Sequence, residues 1–169
     1  MMEIQALAST EKIREELLQS VGSLSDDKAN TRTAEGKWTV AQVLEHLFLM
    51  ERAIVQGMGK ALQSADNPTD RKPFHLSLDR TRSIDAPSFV EPSPEPQPAD
   101  ELLHKLEGSR TALRQLLAGI EDPGILTRKS YPHPVFGQMD LDQWVEFIGT
   151  HEKRHLMQIE EIKGELPAV

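Results

Sequence analysis

The sequence contains no cysteine in its 169 residues. This absence excludes disulfide bonds, thiolate metal ligands and a cysteine nucleophile. A metal ion would therefore have to be held by histidine and carboxylate side chains, and a thiol that takes part in a reaction would have to come from a substrate. A cytoplasmic location is the default expectation for such a chain.

Basic residues are outnumbered by acidic ones, with 19 Lys and Arg against 27 Asp and Glu and a formal net charge of −8. Nucleic acid is therefore not an expected partner, because phosphate binding needs a basic face. No apolar run approaches the roughly 20 residues that span a membrane, and the start Met-Met-Glu-Ile-Gln does not resemble a signal peptide. We expect one soluble domain over residues 1–169, with no membrane partner.

Apolar residues recur at helical spacing in four segments, which lie near residues 3–21, 39–64, 98–121 and 140–164. Two of these segments begin with a capping signal, because Thr39 is followed by Gln42 and Asp140 by Gln143. No β-strand pattern is recognisable. The sequence therefore predicts an all-α fold, a four-helix bundle.

The connection between the second and third predicted helices, residues 65–98, contains seven of the eleven prolines. Proline at this density excludes a long helix. A connection of this length can travel along a whole helix at about 3.3 Å per residue, so helices 2 and 3 can run parallel with a long crossover between them. Such long loops are uncommon in compact domains unless they have a function.

The fourth predicted helix carries His151 and His155 on its inward stripe. Residues three, four and seven apart share one helical face. The stripe is formed by Trp144, Ile148, His151, His155, Gln158 and Ile162. The charged residues expected to point away from it are Glu146, Lys153, Arg154, Glu160 and Glu161. Two imidazoles four residues apart can converge on one metal ion.

His46 is the third candidate ligand, because it lies on the second helix among apolar residues. Surface positions are the ordinary interpretation of His75 and His133, which lie in connections, and of His104 on the exposed side of helix 3. Three neutral imidazoles leave a coordination position open, as catalytic sites do. Zinc and nickel are the expected metals, while iron or copper would accept the same ligands.

Glu152 and Gln158 are the candidate catalytic residues beside this site. Glu152 could orient a ligand ring or act as a base, and the alternative is a solvated glutamate. Gln158 could hydrogen-bond a ligand or a substrate, and the alternative is a buried amide that ties helices together. His151 to His155 also match the H-E-x-x-H metalloprotease pattern. We do not favour a protease, because no histidine follows His155 and no strand framework for a peptide is recognisable.

Taken together, four segments resemble the DinB-like superfamily of helical-bundle metalloenzymes. They are residues 37–47 (KWTVAQVLEHL), 86–89 (APSF), 133–137 (HPVFG) and 144–159, which ends in HEKRHLMQI. The resemblance implies an up-down-down-up bundle and a three-histidine metal site at His46, His151 and His155. Members of known activity include enzymes that transfer low-molecular-weight thiols to electrophiles and a thiol-dependent isomerase.

Three functions remain open from the sequence. The first is transfer of a low-molecular-weight thiol to an electrophilic small molecule, the second is metal-dependent hydrolysis with Glu152 as base, and the third is a non-enzymatic metal-binding stress protein. A homodimer is also expected, because one face of helix 2 is apolar opposite His46, unless residues 65–98 cover that face. The face consists of Val40, Leu44, Phe48 and Val55. Such dimers are common in the family that the chain resembles.

Overall fold

Four long helices form the framework of the protein, as the sequence predicted, and the four-helix bundle is thereby confirmed. The computed structural model describes residues 4–81 and 86–167. Its helices are α1 (Gln5–Val21), the short α2 (Asp26–Ala29), α3 (Val40–Leu62), α4 (Ala99–Ala118), the short α5 (Ile125–Arg128) and α6 (Leu141–Glu165). Within these ranges no helix has the length and apolar character needed to cross a membrane.

The capping signals lie where α3 and α6 begin. The Thr39 hydroxyl accepts the Gln42 backbone N–H at 3.1 Å, and the Gln42 side chain accepts the Thr39 N–H at 2.9 Å. Asp140 accepts the Gln143 N–H at 2.8 Å, but the Gln143 side chain accepts the Lys72 N–H instead of completing a capping box. Gln143 therefore ties the crossover to α6.

Contacts between the long helices fix their relative directions. Thr10 bonds to Val145 and Lys153 pairs with Glu16, so α1 and α6 run the same way. One apolar cluster joins the first turns of α3 and α4 to the last turns of α6, and a second joins their C-terminal halves to the start of α6. Helices α3 and α4 therefore run parallel to each other and opposite to α6, the arrangement expected for an up-down-down-up bundle.

The described residues of the crossover between α3 and α4 form coil with two 3₁₀ turns, at Phe74–Leu78 and Ser88–Val90. Arg154 holds the first turn in place, because its guanidinium donates to the carbonyls of Ser77 at 2.6 Å and Asp79 at 2.8 Å. The sequence predicted that Arg154 points away from the ligand stripe, but it did not predict that this side chain is buried. Its side chain is buried because the crossover supplies carbonyl acceptors on that side of α6.

A short antiparallel hairpin, which the sequence interpretation did not predict, lies between α5 and α6. Its strands are β1 (Ser130–His133) and β2 (Gly137–Asp140), and Gly137 closes it with a φ of +77°. The Tyr131 ring stacks on Trp144 at 4.2 Å, and the Trp144 indole N–H donates to the Tyr131 carbonyl. Gly57 lets this ring lie against α3, since a Cβ there would be 2.7 Å from Tyr131 Cζ.

The apolar face of α3 opposite His46 is covered within the chain. Val40 and Leu44 are buried in one cluster with Leu102 and Leu106 of α4, and Phe48 packs against that cluster. Much of this cover comes from α4. The homodimer stays a prediction, and this face no longer requires it.

Candidate metal centre

The structure brings the three predicted ligands together inside the bundle. His46 comes from α3, and His151 and His155 lie one turn apart on α6. One ring nitrogen of each lies within 4.8 Å of the others, and the Nε2 atoms of His46 and His151 are 3.2 Å apart. All three side chains are buried.

Hydrogen bonds on the outer side of the rings orient two of the three imidazoles. His46 Nδ1 lies 2.8 Å from the Val90 carbonyl oxygen, and His155 Nδ1 lies 2.7 Å from the Gln158 side-chain oxygen. Because both partners are acceptors, both Nδ1 atoms carry the proton. The Nε2 lone pairs therefore face the centre of the cluster, as in metal sites whose ligands are oriented from outside. Val90 belongs to the crossover, which gives that connection a role in the site.

Burial keeps the three rings neutral. Desolvation lowers the pKa of His46, although the Val90 hydrogen bond opposes the shift. Burial and the neighbouring His155 and His46 hold the pKa of His151 well below its usual range. Burial, with His46 nearby, lowers the pKa of His155 to about 3. Neutral imidazole is the form that binds a metal.

The arrangement fits a divalent metal ion. Two nitrogen ligands at 2.0–2.1 Å from a tetrahedral ion are about 3.3 Å apart. The distance of 3.2 Å between His46 Nε2 and His151 Nε2 agrees with this value. His46 and His155 offer their Nε2 lone pairs here, and a cation bound between the rings would accept them. Zinc and nickel both accept three imidazoles.

The cluster opens into a cavity of about 610 Å³. One end of this cavity, which we call the aromatic end, is lined by Tyr131, His133, Phe136, Trp144 and Phe147. The opposite end, which we call the charged end, is lined by Lys37, Arg80, Glu161 and Glu165. Trp144 precedes the ligands on α6 and Glu165 follows them, so the three imidazoles lie between the two ends.

The charged end consists of two ion pairs that cross from other elements to α6. Arg80 lies 3.0 Å from Glu161, and Lys37 lies 3.3 Å from Glu165. These pairs are partly exposed, and such pairs contribute little to stability. A polar ligand can therefore replace these contacts at low cost.

Glu152 does not line this cavity. Its carboxylate accepts the Arg14 Nε–H at 2.6 Å and lies 3.5 Å from Arg110 Nη2. Burial raises the pKa of Glu152, and the charges of Arg14 and Arg110 oppose that rise. On this side of His151 there is a separate cavity of about 10 Å³, close to the smallest volume that holds one water molecule. The structure therefore does not favour Glu152 as a base on the substrate side of the site.

Four charged side chains form a buried network next to the histidine cluster. The network consists of Arg14, Glu51, Arg110 and Glu152. Glu51 accepts from Arg14 at 3.0 Å, from Arg110 at 2.7 Å and from the Ser109 hydroxyl at 2.5 Å. The sequence interpretation did not predict this network.

The remaining candidate residues fall into two groups. Gln158 lines the main cavity and orients His155, so it lies where the sequence predicted. His133 also lines that cavity, whereas a surface position was expected. His75 is exposed and pairs with Glu146 at 3.0 Å, and His104 is exposed.

Fold and site together define a helical-bundle protein with a buried three-histidine centre suited to a divalent metal. Residues 9–159 match the DinB superfamily, and the chain belongs to this family. It is 30% identical over 154 residues to the uncharacterized protein YuaE from Bacillus subtilis (strain 168). The alignment covers 90% of this chain and 94% of YuaE.

Two solved structures share the fold. TT2238, a four-helix bundle protein, superimposes with a TM-score of 0.65 at 22% identity, over 93% of this chain and 97% of that one. YfiT from Bacillus subtilis superimposes with a TM-score of 0.63 at 17% identity, over 95% of this chain and 85% of that one. YfiT is described as a probable metal-dependent hydrolase with an unusual four-helix bundle topology.

Proposed function

We propose that this protein is a metal-dependent enzyme that transfers a low-molecular-weight thiol to an electrophilic small molecule. His46, His151 and His155 would hold a zinc or nickel ion. A divalent ion held by three imidazoles has an open position and lowers the pKa of a thiol that coordinates there. The protein has no cysteine of its own, so the thiol is a substrate.

The position of the three imidazoles between two unlike ends of one cavity carries this proposal. The charged end offers groups of both signs, which suit the amino and carboxylate groups of a small thiol. The aromatic end suits an apolar electrophile. A cavity of about 610 Å³ has the volume of sites that hold drug-sized ligands, so both substrates fit.

Hydrolysis of a small molecule is the second candidate, and the description of YfiT favours it. Hydrolysis by activated water usually needs a general base within hydrogen-bond reach. Among the described residues, no carboxylate oxygen joins the three nitrogens within 4.8 Å. Glu152 is held by Arg14 and Arg110 on the other side of His151. A non-enzymatic metal-binding role is the third possibility, and an activity assay decides it.

The test compares three reactions of metal-free and metal-loaded protein. We expect conjugation of monochlorobimane to small thiols such as cysteine or glutathione to require both thiol and metal. In this reaction sulfur bonds to carbon and chloride leaves with the electron pair. His151→Ala should abolish turnover and leave helix content largely intact. Ester and amide turnover without thiol would favour the hydrolase, and no turnover in any of the three would favour the non-enzymatic protein.

Glu152→Gln separates the first two mechanisms. Loss of a general base costs roughly 10²–10⁴ in rate. For thiol transfer we expect the rate per folded molecule to change little, because Glu152 lies outside the main cavity. The folded fraction is measured by circular dichroism, since the substitution also weakens the contact with Arg14. A large loss of rate in fully folded protein would contradict thiol transfer without a base.

A further inference from the structure

His133 is a histidine of the main cavity whose tautomer the hairpin turn determines. Its Nδ1 accepts the backbone N–H groups of Val135 at 3.0 Å and Phe136 at 3.2 Å. Because both partners are donors, Nδ1 carries a lone pair and the proton lies on Nε2. Burial lowers the pKa of His133 to about 4, so the ring stays neutral around neutral pH.

The His133 ring lies in an aromatic wall that leads to the metal ligands. Its centroid is 4.8 Å from that of Phe147 and 5.4 Å from that of Trp144, and Phe147 is 5.6 Å from His151. The ring lines the same cavity as His46, His151 and His155.

The Nε2–H group of His133 has no hydrogen-bond partner within residues 4–81 and 86–167. This atom is not among the fully buried polar atoms, so it is open to the cavity and a ligand oxygen can accept from it there. Nδ1 is occupied by hydrogen bonds from the backbone of the turn, so the ring presents a single N–H, that of Nε2, to the cavity. This is the geometry of a group that recognises an oxygen atom on a ligand.

We propose that His133 binds the electrophilic substrate by donating its Nε2–H to an oxygen of that substrate. The substrate class is then an electrophile that combines an apolar or aromatic body with an oxygen at the reacting carbon, such as an aryl epoxide. The assignment of this substrate class rests on the proposed thiol transfer, whereas the role of His133 as a hydrogen-bond donor to a ligand does not depend on thiol transfer.

For an aryl epoxide the step balances without a further reactant. The thiol loses its proton to water, its sulfur bonds to an epoxide carbon, and the C–O bond breaks with its electron pair on oxygen. The oxygen then takes a proton from water. His133 keeps its own proton, because neutral imidazole is too weak an acid to give it up, and stabilises the negative charge that develops on oxygen.

Two substitutions separate the donor from the turn. His133→Asn keeps an acceptor for the turn N–H groups, as asparagine does in Asx turns, but removes the donor at the Nε2 position. His133→Gln is the matched control, because its longer side chain brings an amide N–H to about the reach of Nε2. A purely structural role predicts the opposite order of the two variants, with Asn close to wild type.

The first measurement needs no turnover. Cobalt(II)-loaded protein is titrated with benzohydroxamate, which chelates the metal through oxygen and carries an aromatic ring, and binding is followed in the visible spectrum. We expect affinity to fall about 3–10-fold in His133→Asn, the loss of one hydrogen bond, and to stay near wild type in His133→Gln. Affinity for cobalt(II) itself should be equal in all three proteins. Equal hydroxamate affinity in His133→Asn and wild type would overturn the proposal.

The second measurement compares electrophiles with the same thiol. His133→Asn should lower kcat/KM for styrene oxide about 3–10-fold and leave monochlorobimane, which loses chloride, less affected. Equal losses for both electrophiles would overturn the assignment of the oxygen-bearing class. If hydroxamate binding shows the donor but no electrophile reacts with thiol, the proposed function fails while the His133 donor stands.

Discussion

His151 and Glu152 are neighbours in the chain, yet they belong to two buried polar clusters on different sides of α6. In the ion-pair network, each carboxylate meets arginine groups supplied by the protein. In the histidine cluster, the outer nitrogens of His46 and His155 are bonded and their inner lone pairs face each other. The network pairs charges that the chain itself supplies, whereas the histidine cluster offers neutral nitrogens that can hold a metal ion. The histidine cluster faces the main cavity, and this marks the functional side of the helix.

The network's effect on stability follows from burial. Arg110 is fully buried and Glu51 and Glu152 are each 2% exposed. Forming such pairs gains little over an apolar core, because desolvation offsets the attraction. Removing one partner leaves a buried charge without compensation. The network therefore fixes the four helices relative to each other more than it adds net stability.

The largest expected effect is that of Arg110→Met. This change leaves Glu51 and Glu152 with less compensating charge in the core, and we expect a loss of about 3–5 kcal/mol in the free energy of unfolding. Urea unfolding of the metal-free protein measures it. Metal affinity of the folded variant should stay within a few-fold of wild type, because Arg110 does not line the main cavity.

Arg114→Met is the matched control for this prediction. Arg114 lies one turn further along α4, is 41% exposed and pairs with Glu11 and Glu107. Exposed pairs contribute at most about 1 kcal/mol. Equal losses for Arg110→Met and Arg114→Met would mean that burial of the network has no special effect.

The complementary change is Gln158→Ala, which acts on the histidine cluster. Without the Gln158 oxygen, the His155 ring loses the acceptor that fixes its orientation. We expect metal affinity to fall roughly 10–100-fold, as for other groups that orient metal-bound histidines. Isothermal titration calorimetry with zinc measures the affinity, and urea unfolding of the metal-free protein should change little, since Gln158 is only half-buried.

Gln158→Glu sharpens the same comparison. A carboxylate accepts the His155 Nδ1–H as well as an amide oxygen does, so zinc affinity should be retained or increased. If Ala and Glu at this position weaken zinc binding equally, the hydrogen bond to His155 is not what holds the ligand.

Helical spacing was sufficient to select the three histidines that the structure brings together, because His46, His151 and His155 sit on apolar stripes of long helices. The same signal could have found the network. Arg110 lies between Leu106 and Leu113 on the buried stripe of α4. The other three members also fall at three- and four-residue spacing among buried residues of their helices. A charged residue in such a stripe indicates a buried partner on a facing helix, but spacing does not say which one.

Helical spacing could not predict the hairpin or the position of His133. Pro132 and Pro134 lack backbone N–H groups, so the segment does not read as a strand. Its position depends on the contact between Tyr131 and Trp144 and on the space at Gly57, which are tertiary features. The aromatic end of the cavity therefore emerges only when the hairpin packs on α3 and α6.

The smallest expected effect is on the pH dependence of stability, and it distinguishes His133 in the cavity from an ion-paired carboxylate such as Glu11. The pKa of His133 is about 4 in the folded protein, below the ordinary value of 6.5 expected on unfolding. Between these values the unfolded chain binds more protons, so this contribution to stability is fully present above about pH 6.5 and is lost as pH falls toward 4. For Glu11, burial opposes the shift, but Arg114 and Arg110 lower its pKa from 4.5, so its contribution is lost only at lower pH.

His133→Asn should therefore flatten the pH dependence of the free energy of unfolding between about pH 6.5 and pH 4. The full effect of one proton is about 1.4 kcal/mol per pH unit, and solvent screening of the partly exposed ring reduces it. Urea unfolding of metal-free wild type and variant at several pH values gives the two slopes, and their difference isolates this ring because every other titrating group is shared. Parallel curves would show that His133 takes up its proton as readily in the folded protein as in the unfolded chain, and that the aromatic end is open to water.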